Sequence, residues 1–396
     1  MDTSTPMLRD LDSEVVVRLR QHLRASTTEM ADAVRVVAPE AFTDPTLAAR
    51  ERDEVFGRVP FIVAHGSELP NAHNFVTVDL PRNRALVVRQ ADGSVRAFLN
   101  VCRHRGAMLQ SEASGSCRVI SCPYHGWSYN PDGSLRQVTY DASFGEVERA
   151  HLGLIELPAE ERHGFIWLVD SPGVPIDVAG HLGSSMDDLL RQHGLDEFVC
   201  YRSGSFYEPA NWKIMQDAFL DGYHIKYAHA KSAGGYIHTN VSTYEDHGRH
   251  ALFGSPRKSI DQWIDADPDD GTTLRDHISV AHFLFPNCTL LRQPDHFQVL
   301  SFFPDPQEPG KSRMEMRLVV PRLEASGLDE AAWTRRWDKN WDILMAVLRD
   351  EDFPLLRDQQ VALSSEDAGP LVLGRNEIAN QHFHRELERQ HRIAST

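Results

Sequence analysis

Two short stretches carry the residue types best suited to chemistry: Asn100-Val101-Cys102-Arg103-His104-Arg105-Gly106 and Cys122-Pro123-Tyr124-His125-Gly126-Trp127. Together they read Cys-x-His, seventeen residues, then Cys-x-x-His. Two thiolates and two imidazoles, delivered by two loops, can close around one metal centre. Because each loop pairs one Cys with one His, the chemistry that fits is a [2Fe–2S] cluster with mixed ligation. Cys102 and Cys122 would hold one iron, and His104 and His125 the other. Exchanging two thiolates for neutral imidazoles lowers the negative charge of the cluster and raises its potential. The competing reading is a structural zinc site, but zinc fingers usually group like ligands, as Cys-x-x-Cys and His-x3–5-His. Cys117 has no His beside it and reads as a small buried residue.

A second candidate centre lies in residues 211–229, which read as one helix ending in His224 and His229. Two histidines five apart point about 140° away from each other on a regular helix. They converge on one metal only if the helix is broken or widened, here expected near Tyr227. With 20 histidines in the chain, accidental pairs are also expected. Gln216, Asp217 and Leu220 fall on the helical face of His224 and, with Phe219, are candidates to line a substrate pocket. Asp221, three residues before His224, could accept a hydrogen bond from that imidazole and fix its orientation.

Asn-x-Cys-x-His-Arg-Gly followed by Cys-Pro-Tyr-His-Gly-Trp, with Asp132-Gly133 after Tyr129, resembles the Rieske domain of ring-hydroxylating oxygenase α subunits. Asn211-Trp212-Lys213, then Phe219-Leu220-Asp221-Gly222-Tyr223-His224 and His229, is similar to the catalytic helix of the same family. The resemblance implies an α+β protein: an N-terminal all-β Rieske [2Fe–2S] domain and a C-terminal helix-on-antiparallel-sheet catalytic domain of helix-grip, START-like form. It also implies one mononuclear Fe(II), held by His224, His229 and a carboxylate that leave positions open for dioxygen. The family's carboxylate follows an acidic neighbour after a long helix, which favours Asp352 over Asp350 and Glu351. In that family the position of Asp221 also reaches a Rieske histidine of the adjacent subunit, here His125, in a head-to-tail homotrimer or α3β3 assembly with a small β subunit.

The implied reaction is hydroxylation of an aromatic substrate, by cis-dihydroxylation. A monooxygenase or demethylase acting on a small amine or aryl ether would share every ligand. Electrons would come from NAD(P)H through a ferredoxin, a separate reductase, or both, since no Gly-x-Gly-x-x-Gly fingerprint occurs in this chain. The family often carries Asn or Glu near Asp217 and Asn in place of Ala218, so the substrate stays open.

The elements that must position these groups follow from periodicity. Residues 10–38 read as a helical lead-in, with Val15, Val16, Leu19 and Leu23 near helical spacing. From Val55 to Val169 short β-branched and aromatic runs alternate with turns such as Asp92-Gly93. Ser171-Pro172-Gly173-Val174-Pro175 breaks this texture, giving expected segments 1–50 (lead-in), 51–172 (Rieske) and 173–396 (catalytic). Later strands at 278–285, 289–292, 297–303 and 313–320 imply an antiparallel sheet. A helix from about Asp329 to Leu348 carries Trp333, Trp337, Trp341 and Leu344 on one stripe, which reads as core packing.

At 396 residues and 41% hydrophobic content the chain suits two sizeable cores. Its net charge of −16 argues against nucleic acid as a partner. Cys117, Cys200 and Cys288 are expected buried and reduced, with no disulfide framework. The start lacks a basic-then-apolar leader, and the run Ile343–Leu348 is too short to span a bilayer. A cytoplasmic protein without membrane attachment is expected. Between Pro81 and Arg136 eight arginines face three acids. Such a basic stretch would attract an acidic ferredoxin.

Overall fold

The structure, a computed structural model, describes residues 8–146, 148–265 and 276–394. Arg52–His181 form one compact unit, and the segments up to Glu51 and from Leu182 onward form another. The first boundary lies between Glu51 and Arg52, one residue from the 50/51 division expected from the sequence. The second lies nine residues beyond 172, inside a helix (Val178–His193) that is kinked at Gly183.

The Arg52–His181 unit is built from short antiparallel strands. A five-stranded sheet runs in the order Glu156–Leu157, Val95–Leu99, Arg84–Arg89, Asn74–Asp79, Ser114–Ser116. A three-stranded sheet joins Ala159–Arg162, Phe165–Leu168 and Phe61–His65. The turn at Asp92-Gly93 forms because Gly93 adopts φ +88° while Asp92 accepts hydrogen bonds from the Ser94 N–H (2.9 Å) and hydroxyl (2.7 Å). A third small sheet, Ile120–Ser121, Ser128–Tyr129 and Leu135–Gln137, carries the Cys122 loop between its first two strands. Phe75, Leu86, Val88, Phe98, Ile120, Trp127 and Tyr129 make the core beneath both Cys/His loops, and Cys102 and Cys122 are part of it.

The other unit is a seven-stranded antiparallel sheet clasped by helices. Strands Thr243–His247, His250–Pro256, Ile278–Leu284, Cys288–Arg292, Phe297–Pro304 and Ser312–Pro321 pair in chain order, and Phe198–Glu208 closes the far edge. The helix Glu330–Val347 buries Trp337 and Trp341 of its expected stripe, together with Met345, while Leu344 is only partly buried. Trp333 is only half-buried, donating its indole N–H to the Pro321 carbonyl at 3.0 Å. Among the described residues no helix is long and apolar enough to cross a membrane.

Two expectations change. The lead-in is no single helix to residue 38. It ends at Ala25, and the chain then docks Thr28 against Ser242 (2.8 Å between hydroxyls) and pairs Arg35–Val37 with Leu371–Leu373. Its buried Val15, Val16 and Leu19 pack it into the unit that holds the seven-stranded sheet. Of the three spare cysteines only Cys288 is buried, because Cys117 and Cys200 sit on partly open edges.

Candidate metal centres

Each Cys/His loop closes in the same way. Gly106 N–H bonds back to the Cys102 carbonyl (3.0 Å) and Gly126 N–H to the Cys122 carbonyl (3.1 Å). Cys102 N–H in turn reaches Ala107, and Cys122 N–H reaches Trp127. Both glycines adopt the left-handed conformation, at φ +75° and +73°, which side chains disfavour. The two motifs therefore need Gly after the histidine-bearing turn for geometric reasons.

The loops bring the four expected donors together in pairs. The Cys102 and Cys122 thiols are buried, whereas His104 and His125 reach the surface with ring centroids 4.7 Å apart. Burial pushes the Cys102 thiol up; Tyr129 opposes this, while the neighbouring Cys122 adds to it. Tyr129 sits 3.3 Å from Cys102 Sγ and accepts the Arg103 N–H at 3.0 Å. His104 stacks on Trp127 at 4.9 Å, nearly parallel, and its Nδ1 is buried without a hydrogen-bond partner among the described residues. A buried, unsatisfied imidazole nitrogen in a ring beside a second imidazole, on loops that also carry two buried thiols, fits a metal cluster, which would satisfy it.

The second centre depends on a broken helix. Asn211 starts it by accepting the Lys213 N–H (2.9 Å), and it is tied down by Trp212 donating to buried Glu51 (2.9 Å), which also pairs with Lys213. The helix stops at Asp217, and a new turn runs Ile225–Ala228. The break falls before His224, not near Tyr227. It forms because Asp221 Oδ1 takes the N–H groups of Tyr223 (2.7 Å) and His224 (2.9 Å), offering the backbone a turn in place of the helical ladder. The same oxygen accepts a hydrogen bond from His224 Nδ1 at 3.0 Å.

From the opposite side a π-helical segment, Leu348–Asp352, interrupts the junction of two helices and re-aims its acids. Asp352 turns inward, 5% exposed, with Oδ1 3.3 Å from His229 Nε2. Glu351 instead receives His229 Nδ1 at 2.8 Å and the Ser232 hydroxyl. Asp350 is exposed. One ligand atom each from His224, His229 and Asp352 lies within 4.8 Å of the others. Each histidine is thus engaged at Nδ1 by its own carboxylate, Asp221 for His224 and Glu351 for His229; Glu351 is expected from the sequence only as a rival to Asp352.

Electrostatics agree with a cation at this point. Burial pushes the Asp352 carboxyl up, opposed by the two imidazoles and reinforced by Glu351 and Asp221. Burial would push His224 down, but the hydrogen bond and charge of Asp221, with Asp352, raise it. Against its own burial, Glu351 is held below the ordinary carboxylate range by Ser232 and His229. Two imidazoles and one buried carboxylate are the donor set of a non-haem Fe(II) site.

These three groups form one wall of a cavity of about 990 Å³. Phe219 lines it as expected, and Asp221 also reaches it. Gln216, Asp217 and Leu220 do not. Gln216 donates to Thr289 (2.7 Å), Asp217 binds His384 (2.9 Å), and Leu220 is buried in the core. Their expected shared face with His224 assumed a helix that ends at Asp217.

Four of the eight arginines in the basic stretch of 81–136 are paired with acids. Arg82 pairs with Asp53 (3.1 Å), Arg84 with Asp79 (2.8 Å), Arg89 with Glu161, and Arg96 with Glu156 (2.6 Å). These acids lie outside the counted window and the fold brings them in. Arg105, Arg118 and Arg136 stay exposed without a carboxylate partner among the described residues.

Residues 195–392 match the catalytic domain of the ring-hydroxylating α subunit, and residues 59–149 match the Rieske [2Fe–2S] domain. The chain belongs to the ring-hydroxylating oxygenase α-subunit family. The Rieske domain of this family implies a [2Fe–2S] cluster, and its catalytic domain binds mononuclear iron. The chain is 32% identical over 203 residues to the anthranilate 1,2-dioxygenase large subunit of Acinetobacter baylyi, a match covering 50% of this chain and 43% of that relative's length. Its fold matches that of the quaternary ammonium Rieske monooxygenase CntA (TM-score 0.76, 21% identity, 92% and 96% of the two chains). It also matches naphthalene 1,2-dioxygenase from Rhodococcus sp. bound to indole (TM-score 0.72, 19% identity, 99% of each chain).

Proposed function

We propose that this chain is the oxygenase component of a multicomponent system that uses NAD(P)H-derived electrons and dioxygen to cis-dihydroxylate an aromatic substrate. The observation that carries the reading is the convergence of His224, His229 and Asp352 on the wall of a cavity whose mixed lining includes the apolar Phe219, Phe253 and Leu344. Cys102, Cys122, His104 and His125 would hold the cluster, and His224, His229 and Asp352 the mononuclear iron. When bound, the cluster supplies electrons one at a time and the mononuclear iron supplies the chemistry of dioxygen activation. The chain's own residues do the rest. Asp221 and Glu351 hold the two imidazoles in one tautomer with Nε2 presented to the metal. Phe219 and Phe253 pack against a planar substrate and displace water from the cavity.

Electron delivery by a ferredoxin or reductase, a homotrimer or α3β3 assembly, and passage of electrons through Asp221 from His125 of the partner subunit belong to the same proposal. A soluble, cytoplasmic setting is consistent with it. Monooxygenation of a small amine or aryl ether is the second reading, favoured by the fold match to a quaternary ammonium monooxygenase.

Labelled dioxygen separates the two: both atoms enter one product in cis-dihydroxylation, and one in the alternative. Wild-type protein should carry about three irons per chain, two in the cluster and one mononuclear. Cys102→Ser should bleach the visible absorption, whereas His224→Ala should keep it and lose one iron together with hydroxylation. A His224→Ala variant with wild-type turnover would misplace the catalytic centre.

A further inference from the structure

The wall of the cavity facing the metal residues is the inner face of the seven-stranded sheet, and its side chains sort by row. Phe253, Ala281 and Leu291 lie next to one another on adjacent strands and are apolar. One step along, Ser255 pairs with Ser279, and Gln293 and Arg257 lie beyond. A Cβ at Gly222, in the turn before His224, would meet Phe253 and Ser255, at 3.4 and 3.2 Å. The apolar row and Ser255 therefore lie beside the metal-bearing turn, and Arg257 stands two residues, about 7 Å, further along.

Arg257 differs from every other charged group on this wall. Its Nε donates to Ser279 Oγ (3.3 Å) and its Nη2 to Gln293 Oε1, both uncharged. Among the described residues no carboxylate pairs with it. Arg336 is engaged by Asp295, which also takes His296 Nδ1 at 2.7 Å, and Lys231 and Asp276 are exposed. A guanidinium has five N–H donors, so three remain for a ligand. Burial pushes the group down, with only Asp295 opposing, so its charge is poorly compensated. Ser255 Oγ, 5% exposed on the same wall, also has no hydrogen-bond partner among the described residues.

We propose that Arg257, with Ser279 and Gln293 holding its fork, is the recognition group for a carboxylate on the substrate, so that this oxygenase acts on aromatic acids. The inference rests on the oxygenase reading above and narrows its substrate class. A carboxylate would accept two parallel N–H bonds from Arg257, the geometry a guanidinium favours. Its ring would then lie on the Phe253–Ala281–Leu291 row beside the metal end. A cationic substrate would meet a free guanidinium there, with Asp295 already engaged.

Calorimetric binding to the iron-loaded protein tests this with benzoate against benzamide, 2-naphthoate against 2-naphthamide, and phenyltrimethylammonium. At least one acid should bind ten-fold or more tightly than its amide. Arg257→Gln should bring the pair within two-fold by lowering the affinity for the acid far more than that for the amide, and Arg257→Lys should keep part of the preference. Iron content and cluster absorption serve as folding controls, and the wild-type acid-to-amide ratio decides the matter even if a variant misfolds. Equal binding of acid and amide, binding of neither acid, tighter binding of the ammonium compound, or an unchanged ratio in Arg257→Gln each overturns the proposal. A protein with about three irons that oxygenates only neutral arenes would remove the acid class and leave the oxygenase reading intact. Absence of iron would instead remove that reading.

Discussion

Glu351 gives the sharpest test of how the second centre is built. Its carboxylate accepts His229 Nδ1 at 2.8 Å and also holds Ser232, and His229 itself is 6% exposed. Removing it by Glu351→Ala frees the imbedded imidazole to rotate and to lose its tautomer. Partners of this kind are worth about 10–100-fold in metal affinity, which is about 1.4–2.7 kcal/mol. That range overlaps the roughly 1.5–3 kcal/mol of a single hydrogen bond to a charged group. Glu351→Gln keeps an acceptor for His229 and should lose at most about ten-fold. The assay is competition for the mononuclear iron with a colorimetric Fe(II) chelator, with the cluster absorption as an internal standard that should not change. Asp221→Asn makes the contrast, because it retains an acceptor for His224 and should keep its iron. By the proposed subunit-to-subunit route it should nevertheless slow oxidation of the reduced cluster in a single turnover. Glu351→Ala protein that holds iron within two-fold of wild type would refute the reasoning.

Lys213→Met strands the buried Glu51 carboxylate and should cost about 3–5 kcal/mol, much of it recovered by adding Glu51→Gln, which still accepts the Trp212 N–H; thermal denaturation showing no rescue would contradict this. Burial raises the Asp170 carboxyl to about 6, against hydrogen bonds from Asn83 and the Arg82 backbone, so the folded state keeps a proton that the unfolded chain has lost. Stability should therefore fall, by on the order of 3 kcal/mol, as pH rises from about 4 to about 6, and stay level above. Asp170→Asn should flatten that slope in urea unfolding followed by loss of cluster absorption. Reduction of the cluster by its donor should slow with rising salt, and Arg105→Ala, removing an exposed cation stacked on Tyr124, should weaken that dependence. A salt-independent rate would leave no role for the basic face.

The candidate donor groups that the fold gathers at each centre could be picked out in the sequence because their types are chemically restricted and the cluster loops are short. Gly106 and Gly126 betray the turns by a conformation that few other residues adopt. Where the reading depended on regular helix geometry it failed. Asp221-Gly222 is a turn signal inside the catalytic segment, and assigning helix through it put Gln216, Asp217 and Leu220 on a face that does not exist. The π-helical segment at Leu348–Asp352 has no counterpart in the 3.6-residue period, so the division of labour between Glu351 and Asp352 could not be read from spacing. The basic stretch is weaker than its composition suggests for another reason. Asp53, Asp79, Glu156 and Glu161 reach four of its arginines through the fold, leaving Arg105, Arg118 and Arg136 exposed.

The charge distribution within the cavity also bears on substrate orientation. At the metal end Asp221, Glu351 and Asp352 surround two imidazoles, three acids for which a divalent cation is the natural counter-charge. Even with that ion bound, the three carboxylates are not fully neutralised by it when the imidazoles are neutral, and exposed Lys231, beside Glu351, is the one further cation lining this end among the described residues. Further along the sheet Arg257 is held by neutral oxygens alone. A ligand with an anionic head and an apolar ring is therefore repelled from one end and attracted at the other, in a cavity whose low-dielectric walls strengthen both effects. Orientation then follows from charge before any contact with the ring is made. The ring of such a ligand lies toward His224 and His229, where oxygenation would occur, and its acid points away. Reversing the charge with Arg257→Glu should consequently do more than weaken binding of an acid: it should shift the position of hydroxylation on whatever substrate still turns over. Product regiochemistry identical to wild type in that variant would show that the apolar row, and not the charge, sets the orientation.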